Sequence, residues 1–300
     1  MSLTRPTGAG PHTRRAMDQH IPFEEQRGLP PFRWDQLPMG LMHLAPLSIF
    51  FFPFSWTLVA VCLATYSLMV FGITAGYHRY FSHRTYKTSR AFQFVLAWLG
   101  AMSMQKGVLW WSAHHRHHHR FSDQYGDIHS PGLQGFLWAH IGWILAPNNE
   151  ATNFKAVPDL VKFPELRWLN RLHLVPSLAL LGMLYVLGGW SWVAWGWCVA
   201  TVACWHATFM INSLTHMFGR KRYVTKDDSR NSLILAILTF GEGWHNNHHY
   251  YQSSTRQGFF WWEFDPTYYV LRLLASVGIV WDLREPPAHV VEGNRLPHAA

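Results

Sequence analysis

Two long stretches of the chain, Met39–Tyr77 and Leu172–His216, contain no Asp, Glu, Lys or Arg. Each is about twice the ~20 residues that one helical crossing of a bilayer needs, so each is predicted as a helical hairpin rather than a single helix. Pro53 with Ser55 can turn the first, and Gly188–Gly189 the second. Four spans follow, at about 39–53, 56–76, 172–188 and 191–214. The first is short and is expected to tilt little or to sit partly in the interface. Two further stretches have interfacial character. Ala91–Gln105 is apolar but too short to span, and is expected to lie along or dip into the membrane. Phe259–Val280 joins an aromatic start to a helical apolar pattern with internal charges, and is expected to form an amphipathic surface helix.

The charges lie between these runs and set their orientation. The hairpin tips at 54–55 and 188–191 carry none. Arg14, Arg15, Arg27 and Arg33 precede the first span, the basic residues from Arg79 to Arg171 separate the hairpins, and Arg220, Lys221, Arg222, Lys226 and Arg230 follow the fourth span. The positive-inside rule places all three segments, with both termini, in the cytoplasm. The expected organisation is a polar basic tail over 1–38, a membrane domain over 39–280 and a loose tail over 281–300. The tail at 1–38 lacks the apolar core of a signal peptide.

Composition agrees with this picture. Apolar residues make up 49% and charged residues only 14%, well below the usual quarter of soluble domains. Seventeen tryptophans suit a protein with much surface at a lipid boundary. The net charge of +8 is explained by the cytoplasmic segments, and no nucleic-acid-binding module is visible. Cys62, Cys198 and Cys204 lie in apolar stretches without thiolate metal spacing, and are read as small buried hydrophobes.

The chemistry is in the histidines. Of twenty, ten fall in three groups: HRYFSH (His78–His83), HHRHHH (His114–His119) and HNNHH (His245–His249), all on the predicted cytoplasmic side. In HxxHH, positions i, i+3 and i+4 share one helix face, so three imidazoles can converge on a metal. His245, His248 and His249 fit this template. The middle group fits it twice, as His115/His118/His119 or as His114/His117/His118, and spacing alone leaves both open. The i, i+5 spacing of His78 and His83 is off-face in a straight helix and suits a helix end that unwinds. Asn212 and His216 add an i, i+4 pair at the end of the fourth span. Two, three, one and three imidazoles make nine, too many for one tetrahedral zinc, and point to two metals. Imidazole suits iron, zinc, copper or nickel, so ligand type does not name the metal.

At these boxes the chain resembles the membrane fatty-acyl desaturases, the family of stearoyl-CoA desaturase and the bacterial and cyanobacterial Δ9 enzymes. The matching stretches, in the family's order, are GITAGYHRYFSHRTY, HHRHHHRFSDQYGDIHSP, HIGWIL, INSLTHMFG and FGEGWHNNHHYYQ. The resemblance implies an all-α integral membrane fold of four transmembrane helices with a cytosolic helical cap that carries a histidine-ligated di-metal site. It implies that His78, His83, His115, His118, His119, His216, His245, His248 and His249 bind two irons, with Asn212 acting through a bound water. His114 and His117 then become non-ligands beside the site, and His206 packs or supports it from span 4. His129 and His140 are expected to be structural, and His43 and His173 sit at span ends. The implied reaction is O2-dependent removal of two hydrogens from adjacent methylenes of a saturated acyl chain on CoA or a lipid, giving a cis double bond at Δ9. The protein holds that chain in a narrow apolar tunnel, and Tyr66 is the candidate for its far end.

Some positions depart from the acyl-CoA branch. Where that branch has Arg-Asp before the second box this chain has Ala113-His114, and where it has a basic pair after HxGW this chain has Ala146-Pro147-Asn148-Asn149. Both weigh against CoA as the carrier. No haem or iron–sulfur cysteine pattern occurs, so electrons are expected from a separate acidic carrier of ferredoxin, rubredoxin or cytochrome b5 type, docking on Arg220, Lys221, Arg222, Lys226 and Arg230. A di-iron hydroxylase of the same superfamily is the nearest rival, although alkane hydroxylases carry Glu within their boxes and these have none. A membrane metal carrier would place its ligands within the bilayer, and a bis-His haem site would not use nine.

Overall fold

The computed structural model describes residues 23–297, which leaves Arg14 and Arg15 outside the described residues. The architecture is helical, with one two-stranded antiparallel pairing of β1 (Lys87–Thr88) with β2 (Val280–Trp281). Among the described residues two helical stretches are long and apolar enough to cross a membrane, Trp56–Ser82 and Val175–His216.

Helix α1 (Leu37–Leu44) runs into a 3-10 segment, Ala45–Phe51. At 1.5 and 2.0 Å rise per residue, their eight and seven residues reach only about 26 Å. The chain is extended at Phe52, and Ser55 then caps α2 (Trp56–Phe71) by accepting a hydrogen bond from the Thr57 amide, so the first hairpin turns where Pro53 and Ser55 predicted. Helix α2 continues without a break as a π-helix, Gly72–Ser82.

The second stretch is 42 residues long but is not one rod. In α6 (Val175–Trp192) Gly189 adopts φ +66°, ψ −160°, which reverses the chain. The Trp197 indole donates to Ser177 Oγ at 2.9 Å; twenty residues apart on a straight helix they would lie about 30 Å apart. The returning arm is a π segment, Val193–Val199, followed by α7 (Ala200–Ser213) and a last turn to His216. The outgoing arm and the turn leave large apolar side chains exposed, among them Leu178, Val186, Leu187 and Trp190.

Between the hairpins lie α3 (Arg90–Met102), α4 (Val108–Phe121) and α5 (Pro164–Arg171). Most of 91–105, the stretch expected to lie along or dip into the membrane, is α3, packed against the π segment. A Cβ on Gly72 would lie 2.4 Å from the α3 backbone, and one on Gly100 would lie 2.3 Å from the Tyr77 ring, so both glycines are needed for this approach. Only Pro266–Ser276 (α9) of the predicted helix 259–280 is helical. Asp265 caps it by accepting from the Tyr268 amide, and residues 259–265 make turns whose acids point inward. The last residues are not loose where described. Ala288–Glu292 is a helix, Val290 packs with Tyr223 and Phe259, and the Tyr223 hydroxyl donates to the Val291 carbonyl.

Candidate metal centre

Each box reaches the centre by a different local device. In a π turn the chain advances five residues between hydrogen-bonded positions, and the His83 amide donates to the His78 carbonyl. The i, i+5 pair is thereby carried on one face, with ring centres 4.8 Å apart. The expected unwinding is thus a widening. On α4 the register His115/His118/His119 faces inward. His114 bonds the Trp110 carbonyl and stacks near its indole, while His117 donates to the Gly126 carbonyl at 2.8 Å. Between the ligand positions Arg116 clamps α4 in place. It donates to the carbonyls of Phe81 and Ser82 and pairs with Asp159 at 2.7 Å. Helix α8 (His245–Tyr250) is anchored by Asn246 and Asn247. Asn246 accepts from the amides of Arg222 and Tyr223, and Asn247 donates to Glu263.

All nine histidines converge, and they divide into two groups. His78, His83, His115, His119 and His248 form one; His118, His216, His245 and His249 form the other; in each, one ring nitrogen per residue lies within 4.8 Å of the rest. Several Nε2 atoms face each other directly, His83 with His115 at 2.8 Å, and His78 with His248, His119 with His248 and His216 with His245 at 3.0 Å. Two imidazole nitrogens at that distance share at most one proton, so these contacts mark places where lone pairs converge. Nε2 of His118 and of His249 is buried without a partner. Burial first, and then the neighbouring imidazoles, push His83, His115, His119, His245 and His248 well below the ordinary histidine range, which keeps the rings neutral and their lone pairs free. This donor set fits two metal ions.

Four carboxylates hold the other side of the rings, and sequence reasoning missed them. Nδ1 of His118, His216 and His249 bonds Asp127, Asp123 and Asp227 at 2.9, 2.7 and 2.8 Å, and that of His78 pairs with Glu242. Such partners fix the tautomer, so that Nε2 carries the lone pair. Burial alone would raise these three aspartates, but hydrogen bonds and charge from their histidines outweigh it and hold them well below the ordinary carboxylate range. Glu242 also pairs with the fully buried Arg79, which pairs with Asp265 at 3.0 Å. Gly241, at φ +115°, passes so close that a Cβ would meet Asp265 at 2.3 Å. Asp123, Asp127 and Glu242 stand within eight residues of a histidine box, a signal that was readable; Asp227 arrives only through the fold.

Two cavities flank the groups. The larger, about 290 Å3, descends from Arg33 and Glu150 to His115 and Asn212; the smaller, about 40 Å3, continues from there between Val70, Ile73 and Thr239. They share Trp111, His115, Thr208 and Asn212. Tyr66 lines neither: its hydroxyl donates to the Leu238 carbonyl at 2.6 Å. His206 is away from the metal groups, bonded to His140 at 3.0 Å, with His43 beside it. His129 lines the larger cavity and stacks on His118, and His173 lies near its mouth. Of the basic cluster, Arg222 turns inward to the buried Glu263, and Lys221 pairs with Asp228 at 3.0 Å; Arg220 and Lys226 are exposed, and Arg230 is half-buried.

Comparison with known proteins gives a consistent result. The fatty acid desaturase family model matches residues 54–281. The chain is 39% identical over 253 residues to an sn-1 stearoyl-lipid 9-desaturase of Synechocystis, covering 82% of this chain and 78% of that one. It is 35% identical over 277 residues to an sn-2 palmitoyl-lipid 9-desaturase of Nostoc, covering 90% and 96%. It is 37% identical over 252 residues to an acyl-CoA 5-desaturase of Anemone leveillei, covering 83% and 78%. With the histidine groups described above, these matches identify the chain as a member of the fatty acid desaturase family, a family of oxidoreductases.

Proposed function

We propose that the chain is a di-iron, O2-dependent acyl desaturase that forms a cis Δ9 double bond in a lipid-linked saturated chain. The observation that carries this reading is the junction of the two cavities at His115 and Asn212, directly beside both histidine groups. A chain threaded through that junction presents one pair of methylenes to the centre. The balance is one saturated acyl chain, O2, two electrons and two protons, giving the monoene and two waters. Two irons, held by the nine histidines with Asn212 contributing through water, supply the oxidising power that an unactivated C–H bond requires. The chain's own residues orient and exclude. Trp111 and Thr208 form walls at the junction, and Asp123, Asp127, Asp227 and Glu242 hold the imidazoles in one tautomer.

The same reading places four crossings in the bilayer, α1 with its 3-10 extension, α2, and the two arms about Gly189, with the centre and both termini cytoplasmic. The longer rise of the 3-10 turns lets a short segment approach the bilayer thickness. Electrons come from a separate acidic carrier docking on Arg220, Lys226 and Arg230, with Lys221 contributing and Arg222 removed by its inward pairing. Expression in a host lacking unsaturated fatty acids, with gas chromatography of total lipids, tests the reaction. New Δ9 monoenes are expected; hydroxy acids instead would replace desaturation with hydroxylation, and bonds at another position would overturn Δ9.

A further inference from the structure

We propose that the mouth of the larger cavity is a headgroup subsite for a glycerolipid of zero net charge delivered from the bilayer, an inference that rests on the desaturase reading above. The charge of the mouth is the first support. Among the described residues lining this cavity the permanently charged ones are Arg33, Lys106, Asp35 and Glu150, two of each sign. Arg33 Nη2 lies 2.5 Å from Asp35 and 3.5 Å from Glu150, so its charge is committed to two half-exposed carboxylates. The rim triad is therefore net negative. Deeper in, the second of the two lining cations, Lys106, makes no ion pair among the described residues, and its Nζ lies 5.9 Å from the centre of the Trp110 ring. A CoA thioester would bring several phosphate charges against Asp35 and Glu150, where like charges repel. A neutral headgroup matches: hydroxyl or ammonium donors meet the rim carboxylates, and a single phosphodiester or ester oxygen meets Lys106.

The second support is position. Pro38 and Met39 at the start of α1 line the mouth on one side, and His173–Leu174, just before α6, line it on the other. Both walls stand where apolar helices begin, and Phe32, Trp34, Leu41 and Leu174 are exposed around them. Aromatic and apolar side chains at such a level suit the lipid interface, so an acyl chain can enter without crossing water. The loop between α3 and α4 is also built for the cavity. Met104 and Lys106 hold left-handed backbone, at φ +58° and +65°, while the Tyr77 hydroxyl donates to the Lys106 carbonyl and Gln105 donates to Thr208.

The test uses the full metal-loaded chain in nanodiscs with one reductant supply. The same saturated chain is offered as a zwitterionic phospholipid, an uncharged glycolipid, an anionic phospholipid and a CoA thioester, and monoenes are quantified by gas chromatography. At least one net-neutral lipid should be converted about tenfold or more faster than the thioester. Asp35→Lys with Glu150→Lys should move the ratio roughly fivefold toward the thioester, and high salt should reverse that gain. Asp35→Asn with Glu150→Gln should fall between. Conversion of the thioester or the anionic lipid as fast as the neutral lipids, or a ratio insensitive to charge reversal, overturns the subsite and leaves the desaturase reading intact. Monoene from no carrier overturns the desaturase reading and this inference with it.

Discussion

The two histidine groups share the face of α4 but are held in different ways. In the four-histidine group three rings lean on carboxylates, His118 on Asp127, His216 on Asp123 and His249 on Asp227. In the five-histidine group only His78 does, and its Glu242 is shared with Arg79 and Gln257. Nδ1 of His119 and of His248 is buried there without a partner, as is that of His245 alone in the four-histidine group. The donor atoms are alike, yet one site has three anions behind it and oriented rings, while the other has one anion already balanced by a guanidinium. Rigidity and local charge, more than ligand count, distinguish the two, and they predict that the four-histidine group holds its metal more tightly.

Removing a ligand from either group should have the largest effect. His83→Ala and His249→Ala are each expected to lower monoene formation by about a thousandfold or more, because the oxidation has no side-chain substitute. Metal analysis separates them. His83→Ala should retain about one metal per chain, and His249→Ala should lose part of both, because weakening the tighter group also disturbs α8. A His83→Ala protein, folded by circular dichroism, that keeps two metals and full activity would break the assignment of five donors to that group.

The carboxylates come next. Asp227→Asn should weaken one metal by about 10–100-fold in a chelator competition, by removing the partner that sets the His249 tautomer. His117→Gln, on the opposite face of α4, should change affinity by less than about twofold, since its ring serves only the Gly126 carbonyl. Equal losses in the two variants would mean that the register of the middle box is unresolved.

That register illustrates what sequence carries and what it does not. Spacing makes HHRHHH fit a metal face twice; packing of His114 on Trp110 decides between them, and no helical period contains that contact. The two hairpins were legible, because a charge-free run of double length has few other ways to be solvated. The π turn was not, because an i, i+5 pair looks the same whether a helix end widens or unwinds. Asp123 and Asp127 lay inside a motif already singled out, but a carboxylate near a histidine in sequence need not touch it. Asp227, Arg79 and Asn246 were beyond reach, since their roles come from contacts between distant segments. For the same reason Tyr66, placed by counting turns along α2, missed both cavities.

The asymmetry predicts an order of loss. Graded chelation of the loaded protein should pass through a plateau near one metal per chain, and Asp123→Asn should shorten it. A single transition from two metals to none, unchanged in Asp123→Asn, would show the groups to be energetically one site.

The smallest effect concerns the clamp that sets α4, and with it both groups, against the π segment. Asp159 accepts from Arg116 at 2.7 and 2.9 Å and pairs with Arg84. Burial alone would raise its carboxyl, but the hydrogen bonds and charges of Arg116 and Arg84 outweigh it, and the group is pushed down to about 2. An unfolded aspartate titrates near ~3.9, so the folded state binds this proton more weakly. The stabilisation is therefore complete above about pH 4 and is lost as the pH falls toward about 2. Asp159→Asn should lower the thermal midpoint by a few degrees at neutral pH, and its gap from the parent should close on acidification. The readout is the difference between the two proteins, so the protonation of the histidines, common to both, cancels to first order. A gap that persists unchanged down to about pH 2 would place the contribution of Asp159 in its shape and hydrogen-bond acceptors rather than its charge, and would leave Arg116 held chiefly by the carbonyls of Phe81, Ser82 and Ala156.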